Sequence, residues 1–204
     1  MTTIGVLALQ GDFHEHEKML RRLGAQVREV RTAEQLKGLG GLIIPGGEST
    51  TFGRLMEDFR LAEPLCAFVR FGVPTWGTCA GMIVLARHAS DLTFPTLQAI
   101  DIEVERNAYG RQVDSFEADI GVPAFGGEPY HAVFIRAPVV ASVGPGVEVL
   151  ASCGREDGGP EKPVAVRQGH VMATSFHPEL TDDPRFHRYF LDMVESAGRP
   201  ASAK

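Results

Sequence analysis

Long apolar runs are missing from this chain: no stretch approaches the roughly 20 residues of a membrane-spanning helix, so a membrane protein is not expected. Neither a basic leader nor a small-residue cleavage site stands at the N-terminus, and a cytoplasmic location is the expectation. Cysteine is scarce. Cys66, Cys79 and Cys153 form an odd set without CxxC spacing, which indicates neither a disulfide framework nor a zinc site and fits a reducing compartment. A dense Lys/Arg block is also absent, and with a formal net charge of -6 a nucleic-acid surface is not the main business of the chain. No internal repeat or low-complexity segment is found. What is present is 204 residues, 44% hydrophobic and 23% charged, the composition of a soluble globular protein with one well-buried core.

Thr3 to Leu9 is apolar with little alternation, as in a strand covered on both faces of a parallel sheet. Phe13, Met19, Leu20 and Leu23 then recur at helical spacing, with Gly24 as a C-terminal stop. Val27–Val30 and Gly41–Pro45 read as strands, Ala33–Leu36 as a helical turn, and Thr51–Phe59 and Leu61–Phe71 as helices. This β-α-β rhythm predicts a right-handed α/β fold, a single domain whose mostly parallel sheet is flanked by helices. Short runs near Ile100–Val104, Ser115–Ile120, Ala132–Ile135, Val147–Leu150, Val164–Val166 and Val171–Thr174 predict an additional antiparallel portion. Residues 155–163 read as an exposed hairpin loop, and Pro184–Ala197 as a final amphipathic helix with Phe186, Tyr189, Phe190 and Met193 inward. The expected division is one domain over residues 1–197 and a mobile tail over 198–204.

The central stretch is Gly77-Thr78-Cys79-Ala80-Gly81, between the strand-like Val73–Trp76 and the helical Met82–Ala86. Gly-x-Cys-x-Gly is the thiol counterpart of a nucleophile elbow, and a cysteine near a helix N-terminus is favoured as thiolate. On its own the pentapeptide equally describes a buried, inert cysteine in a tight connection. Ser175-Phe176-His177-Pro178-Glu179 closes the last strand; Pro178 biases His177 toward an extended backbone, in which His177 and Glu179 point the same way. A carboxylate on one ring nitrogen leaves the other free to take a proton from a nucleophile, so Cys79, His177 and Glu179 can form a triad. An isolated His-Pro-Glu is more readily a structural histidine at a strand end with a solvated glutamate. Pro45-Gly46-Gly47-Glu48-Ser49-Thr50 supplies backbone at the same sheet edge, where N–H groups of Gly47 and Ala80 can serve an oxyanion. A phosphate cradle is the rival reading of that loop, without a Gly-Lys-Ser/Thr to support it.

These segments, with Leu9-Gln10-Gly11, Val104-Glu105-Arg106-Asn107, 110–117 (Gly-Arg-Gln-Val-Asp-Ser-Phe-Glu) and Phe134-Ile135-Arg136-Ala137-Pro138, occur in one order over roughly Ile4 to Glu195. In that order they resemble the glutaminase subunits of pyridoxal 5′-phosphate synthase, within the class I (triad) glutamine amidotransferases. The resemblance implies Cys79 as nucleophile, His177 and Glu179 as its relay, and Gly47, Glu48, Ser49, Arg106, Ile135 and Arg136 around L-glutamine. Two guanidinium groups suit a substrate that keeps a free α-carboxylate. Without the resemblance Arg106 and Arg136 would be solvated arginines beside strands. It further implies ammonia transfer to a separate TIM-barrel synthase subunit in a large hetero-oligomer, and no cofactor or metal in this chain. Two departures are visible: the Gly158-Gly159-Pro160 loop looks longer than usual, and Trp76 stands where a smaller aromatic is expected.

The remaining candidates carry less. His14 and His16 fall on different helix faces, which argues against a metal pair. Cys66 and Cys153 read as packing residues, and the acidic alternation of 114–119 as a surface or partner contact. Another triad thiol hydrolase on the same scaffold, a peptidase or γ-glutamyl hydrolase, is the alternative activity. A partner-binding module with a vestigial site is the non-enzymatic one.

Overall fold

The computed structural model describes residues 2–106, 115–154 and 160–198. Five parallel strands form its centre: β1 (Thr3–Leu7), β2 (Gln26–Val30), β3 (Leu39–Ile44), β4 (Thr75–Thr78) and β12 (Val171–Thr174). They lie in the order β2-β1-β3-β4-β12. Beyond β12 the sheet continues antiparallel through β11 (Lys162–Gln168) and β10 (Glu148–Cys153). The expected antiparallel portion therefore extends the main sheet. Flanking it are a mixed sheet of β5 (Ala86–Ala89), β6 (Ile100–Glu105) and β9 (Val139–Val143), with β5 parallel and β9 antiparallel to β6, and an antiparallel hairpin of β7 (Ser115–Ile120) and β8 (Tyr130–Ile135).

Strands buried on both faces explain the unalternating apolar runs. In β3, Leu42 and Ile44 pack with α2 (Ser49–Asp58), α3 (Ala62–Arg70) and α4 (Ala80–Leu85), through Phe52, Met56, Leu65 and Met82. Ile43, one residue out of phase, joins the opposite core with Trp76 and Met172. That second core is closed by α1 (Phe13–Arg22) and α5 (Arg185–Gly198), which bring Leu20, Phe186 and Phe190. Both layers are mainly apolar at the sheet, so the strands gain from burial on two sides.

Several boundaries differ from expectation. The fourth strand begins at Thr75 and runs through Thr78, so it delivers its end directly to Cys79. β5 and β9 were not expected, and Lys162 and Pro163, read as loop, belong to β11. Phe186, Phe190 and Met193 are buried as expected and Tyr189 is half-buried against the same core, while His187 and Leu191 are buried as well, so the inner face of α5 is wider than expected. The 110–114 part of the family-like motif, Arg155–Gly159 of the hairpin loop and residues 199–204 of the tail lie outside the described residues.

Candidate active site

The carboxyl ends of β3, β4 and β12 are neighbours, with Ile44 opposite Gly77 and Thr174 opposite Thr78. The three loops that leave them carry Gly46–Ser49, Cys79 and His177–Glu179, and open α/β sheets place ligands at that edge. Cys79 sits between β4 and α4 with φ 46° and ψ -103°, a left-handed backbone that is costly for a side-chain-bearing residue. Its N–H donates to the Thr174 carbonyl at 2.8 Å, which ties the elbow to the strand that brings His177. Gly81 is required by contact: a Cβ there would meet the Ile44 carbonyl oxygen at 2.0 Å.

His177 is buried, and its Nδ1 lies 2.8 Å from Glu179 Oε1. The route to this pair differs from the extended chain expected, because Pro178–Leu180 forms a 3-10 turn that starts at His177. The turn brings Glu179 back under the ring. The backbone N–H of His177 donates to the Val133 carbonyl of β8, and the Cys79 thiol faces the Ile135 carbonyl at 3.9 Å. The β7–β8 hairpin thus roofs the site. Burial disfavours the imidazolium of His177, but hydrogen bonds involving Asp12, Cys79 and Glu179, together with the Glu179 charge, outweigh it and raise its pKa. Burial raises the Glu179 carboxyl in turn.

A cleft of about 290 Å³ opens on Cys79 and His177. Gly47, Glu48, Ser49, Arg106, Ile135 and Arg136 line it, so the structure brings together every substrate-side residue named from the sequence. Asp12, Ile83 and Pro138 line it as well. Ala80 is buried as the first residue of α4, where a helix N–H has no partner within the helix. Glu48 does more than border the cleft. Its carboxylate caps α2 by accepting from the N–H groups of Thr50 and Thr51, and bonds from Thr51 foremost hold its pKa at about 2 against the cost of burial. Arg106 is fixed by the Asp91 carbonyl at 2.6 Å and by Thr50 Oγ1 at 3.3 Å, and Arg136 has a φ of 43°.

Sequence reasoning missed three residues here. Asp12 Oδ2 lies 3.4 Å from His177 Nδ1, and the Asp12 N–H donates to the Gly46 carbonyl at 3.3 Å. His16 and His187 are both fully buried behind Glu179. For His16 a signal existed: Phe13, His16, Leu20 and Leu23 share one helical spacing, and a histidine on an apolar stripe must find polar partners inside. Asp12, His177 and Glu179 each offer one ligand atom within 4.8 Å of the others, as do His14, Glu17 and Glu29. In the first group the atoms converge because two carboxylates face one imidazole, which the acid–base pairing already accounts for.

A model of the SNO glutamine amidotransferase family matches residues 6–196. The chain belongs to that family. It is 54% identical, over 96% of its length and 97% of the relative, to the pyridoxal 5′-phosphate synthase subunit PdxT of Pelotomaculum thermopropionicum. It is 57% identical to the protein of the same name from Dehalococcoides mccartyi, over 94% of this chain and 97% of that one. A crystal structure described as a glutamine amidotransferase superposes with a TM-score of 0.84 at 51% identity, covering 94% of this chain and 98% of the other. PurLQS from Thermotoga maritima, at 15% identity and a TM-score of 0.70, shares the fold alone. As in the amidotransferase structure, the SNO chain has an α/β fold with a mostly parallel central sheet, antiparallel strands and flanking helices.

Proposed function

We propose that this chain is the glutaminase subunit of a pyridoxal 5′-phosphate synthase, hydrolysing L-glutamine to L-glutamate and ammonia. One observation carries the chemistry: a strained cysteine at the end of a central strand shares a cleft with a buried histidine, held at 2.8 Å by a buried carboxylate. Family membership supplies the substrate class.

Cys79 Sγ attacks the side-chain carboxamide while His177 takes the thiol proton. His177 returns that proton to the departing nitrogen, which leaves as ammonia from a γ-glutamyl thioester. Water then enters; His177 removes one of its protons, the hydroxide cleaves the thioester, and glutamate leaves as the thiol regains a proton. Glu179 holds the tautomer of His177 and stabilises its imidazolium without taking the proton. The N–H groups of Gly47 and Ala80 receive the oxyanion, and Arg106 and Arg136 grip the α-carboxylate, with Glu48, Ser49 and Ile135 shaping the wall. Ammonia goes to a separate synthase subunit, a TIM barrel with which residues 1–197 assemble as one glutaminase domain in a large hetero-oligomer.

The test is to co-purify the chain with the synthase subunit, measure ammonia released from glutamine, and trap the γ-glutamyl adduct by mass spectrometry. An adduct on Cys79, and loss of activity with an intact fold in Cys79→Ala, are expected. Activity retained by Cys79→Ala, with the adduct on Cys66 or Cys153, would overturn the assignment.

A further inference from the structure

Behind the carboxylate of Glu179 lies a buried polar chain that the mechanism above does not use. His16, on the first turn of α1, has no exposed surface. Its Nε2 lies 3.2 Å from Thr78 Oγ1 and 3.3 Å from Glu179 Oε2, and its Nδ1 lies 2.9 Å from His187 Nε2. Among the described residues Glu179 Oε2 accepts no well-aligned hydrogen bond, and His16 Nε2 is a polar atom close to it. Deletion of such a neighbour would leave a buried carboxylate oxygen with nothing to compensate its charge.

We infer that His16 is a positioning residue for Glu179, locked by His187 into the tautomer that carries its proton on Nε2. The inference rests on the glutaminase reading. Burial, reinforced by His187 and His177, holds the pKa of His16 well below the ordinary histidine value, so the ring is neutral and has one N–H to place. On Nε2 that hydrogen is directed to Thr78 Oγ1, with Glu179 Oε2 3.3 Å from the same nitrogen and off the hydrogen-bond line, and the bare Nδ1 accepts from His187 Nε2. On Nδ1 it would set the Nε2 lone pair against the carboxylate and require an N–H on His187 Nδ1, an atom with no hydrogen-bond partner among the described residues. The first arrangement makes every contact run from donor to acceptor.

Held at Oε1 by His177 and approached at Oε2 by His16 Nε2 at 3.3 Å, the Glu179 carboxylate is oriented from both sides. The alternative partner for His177 is close: Asp12 Oδ2 lies 3.4 Å from the same Nδ1. Release from that orientation would let the imidazole turn toward Asp12, away from the line to Cys79.

The experiment measures glutamine hydrolysis, with the synthase subunit present, across pH in His16→Gln and His16→Leu. Glutamine can present an N–H near the Nε2 position and leucine cannot, so His16→Leu should lower kcat by about 10-fold to 100-fold at nearly constant KM, with His16→Gln close to wild type. The groups that face Glu179 are Asp12, His16, Tyr130 and His177, with His187 behind His16. Loss of the Nε2–H donor raises the Glu179 carboxyl further, so the acid limb of kcat/KM in His16→Leu should move to higher pH. Equal losses in both variants with an unmoved pH profile would reduce His16 to packing. A second readout needs no activity: in the Cys79→Ala chain, 15N-histidine NMR should show His16 as the Nε2–H tautomer. An Nδ1–H signal would overturn the inference, and this arm decides the matter if His16→Leu does not fold. Absence of ammonia release from the wild-type pair would overturn the glutaminase reading while leaving the tautomer result standing.

Discussion

Cys79, His177 and Glu179 differ in what their loss should do, because each acts at a different moment. Glu179→Gln keeps the shape of the side chain but removes the charge that stabilises the imidazolium. Turnover should fall by about 100-fold or more while KM for glutamine stays nearly constant, as steady-state kinetics would show. Weak binding with normal turnover would place Glu179 among the substrate contacts instead. Arg106 and Arg136 lie in the wall of the cleft that opens on Cys79 and His177. Arg106→Ala and Arg136→Ala should each raise KM by about 10-fold to 100-fold, the worth of a hydrogen bond to a charged group, with little effect on kcat. A change confined to kcat in either variant would argue against a grip on the α-carboxylate.

Among the elements, the loop after β3 is the one under most constraint. A Cβ on Gly46 would meet His177 Cε1 at 2.4 Å, and Gly47 has a φ of 149°. Gly46→Ala should therefore displace the imidazole and remove activity, with a thermal midpoint close to wild type; an active Gly46→Ala enzyme would show that the loop yields. On the proposed function the Gly46–Gly47 peptide is a candidate switch, since glycine can rotate its amide at little steric cost. One missing oxyanion donor lowers turnover by on the order of 100-fold to 1,000-fold, so the isolated chain should be nearly silent until the synthase subunit docks. Full activity without the partner, unchanged on its addition, would rule out this gating. Elements with strong periodicity were legible in the sequence: β7 and β12 fall on the expected residues, and the loops at the sheet edge meet as expected. β5 was not, because Ala-Arg-His-Ala has neither alternation nor β-branched residues and follows α4 without a turn. β9 follows Pro138 directly and was hidden by it. Asp12 escaped notice because its meaning comes from a tertiary contact with His177 that no local pattern announces, whereas the place of His16 on an apolar stripe announced a buried ring without naming Glu179 as its neighbour.

The whole molecule should carry a pH signature from its buried rings. Burial lowers the pKa of His187 to about 3, and burial with neighbouring histidines lowers that of His16. Unfolded, both would titrate near 6.5. As pH falls below that value the unfolded chain takes up two protons the folded chain refuses, so stability should fall by up to about 1.4 kcal/mol per pH unit for each ring. His177 works in the opposite sense: its raised pKa contributes stability below 6.5 that is lost as pH rises through its folded value. Stability should thus peak near pH 6.5. Urea unfolding between pH 5 and 8 checks this, and His187→Phe should remove about one proton from the acid slope; an unchanged slope would show that His187 is not the neutral ring inferred. The sheet order has another consequence. β12 lies between β4 and β11, yet it comes late in the chain, long after β4. On the ribosome, the carboxyl-side core must wait with the flank of β4 open while the intervening residues emerge. On the proposed mechanism the cysteine is synthesised well before its base, and a nascent chain that ends before His177 lacks the group that would take the thiol proton, which keeps the chemistry quiet until the last central strand has inserted.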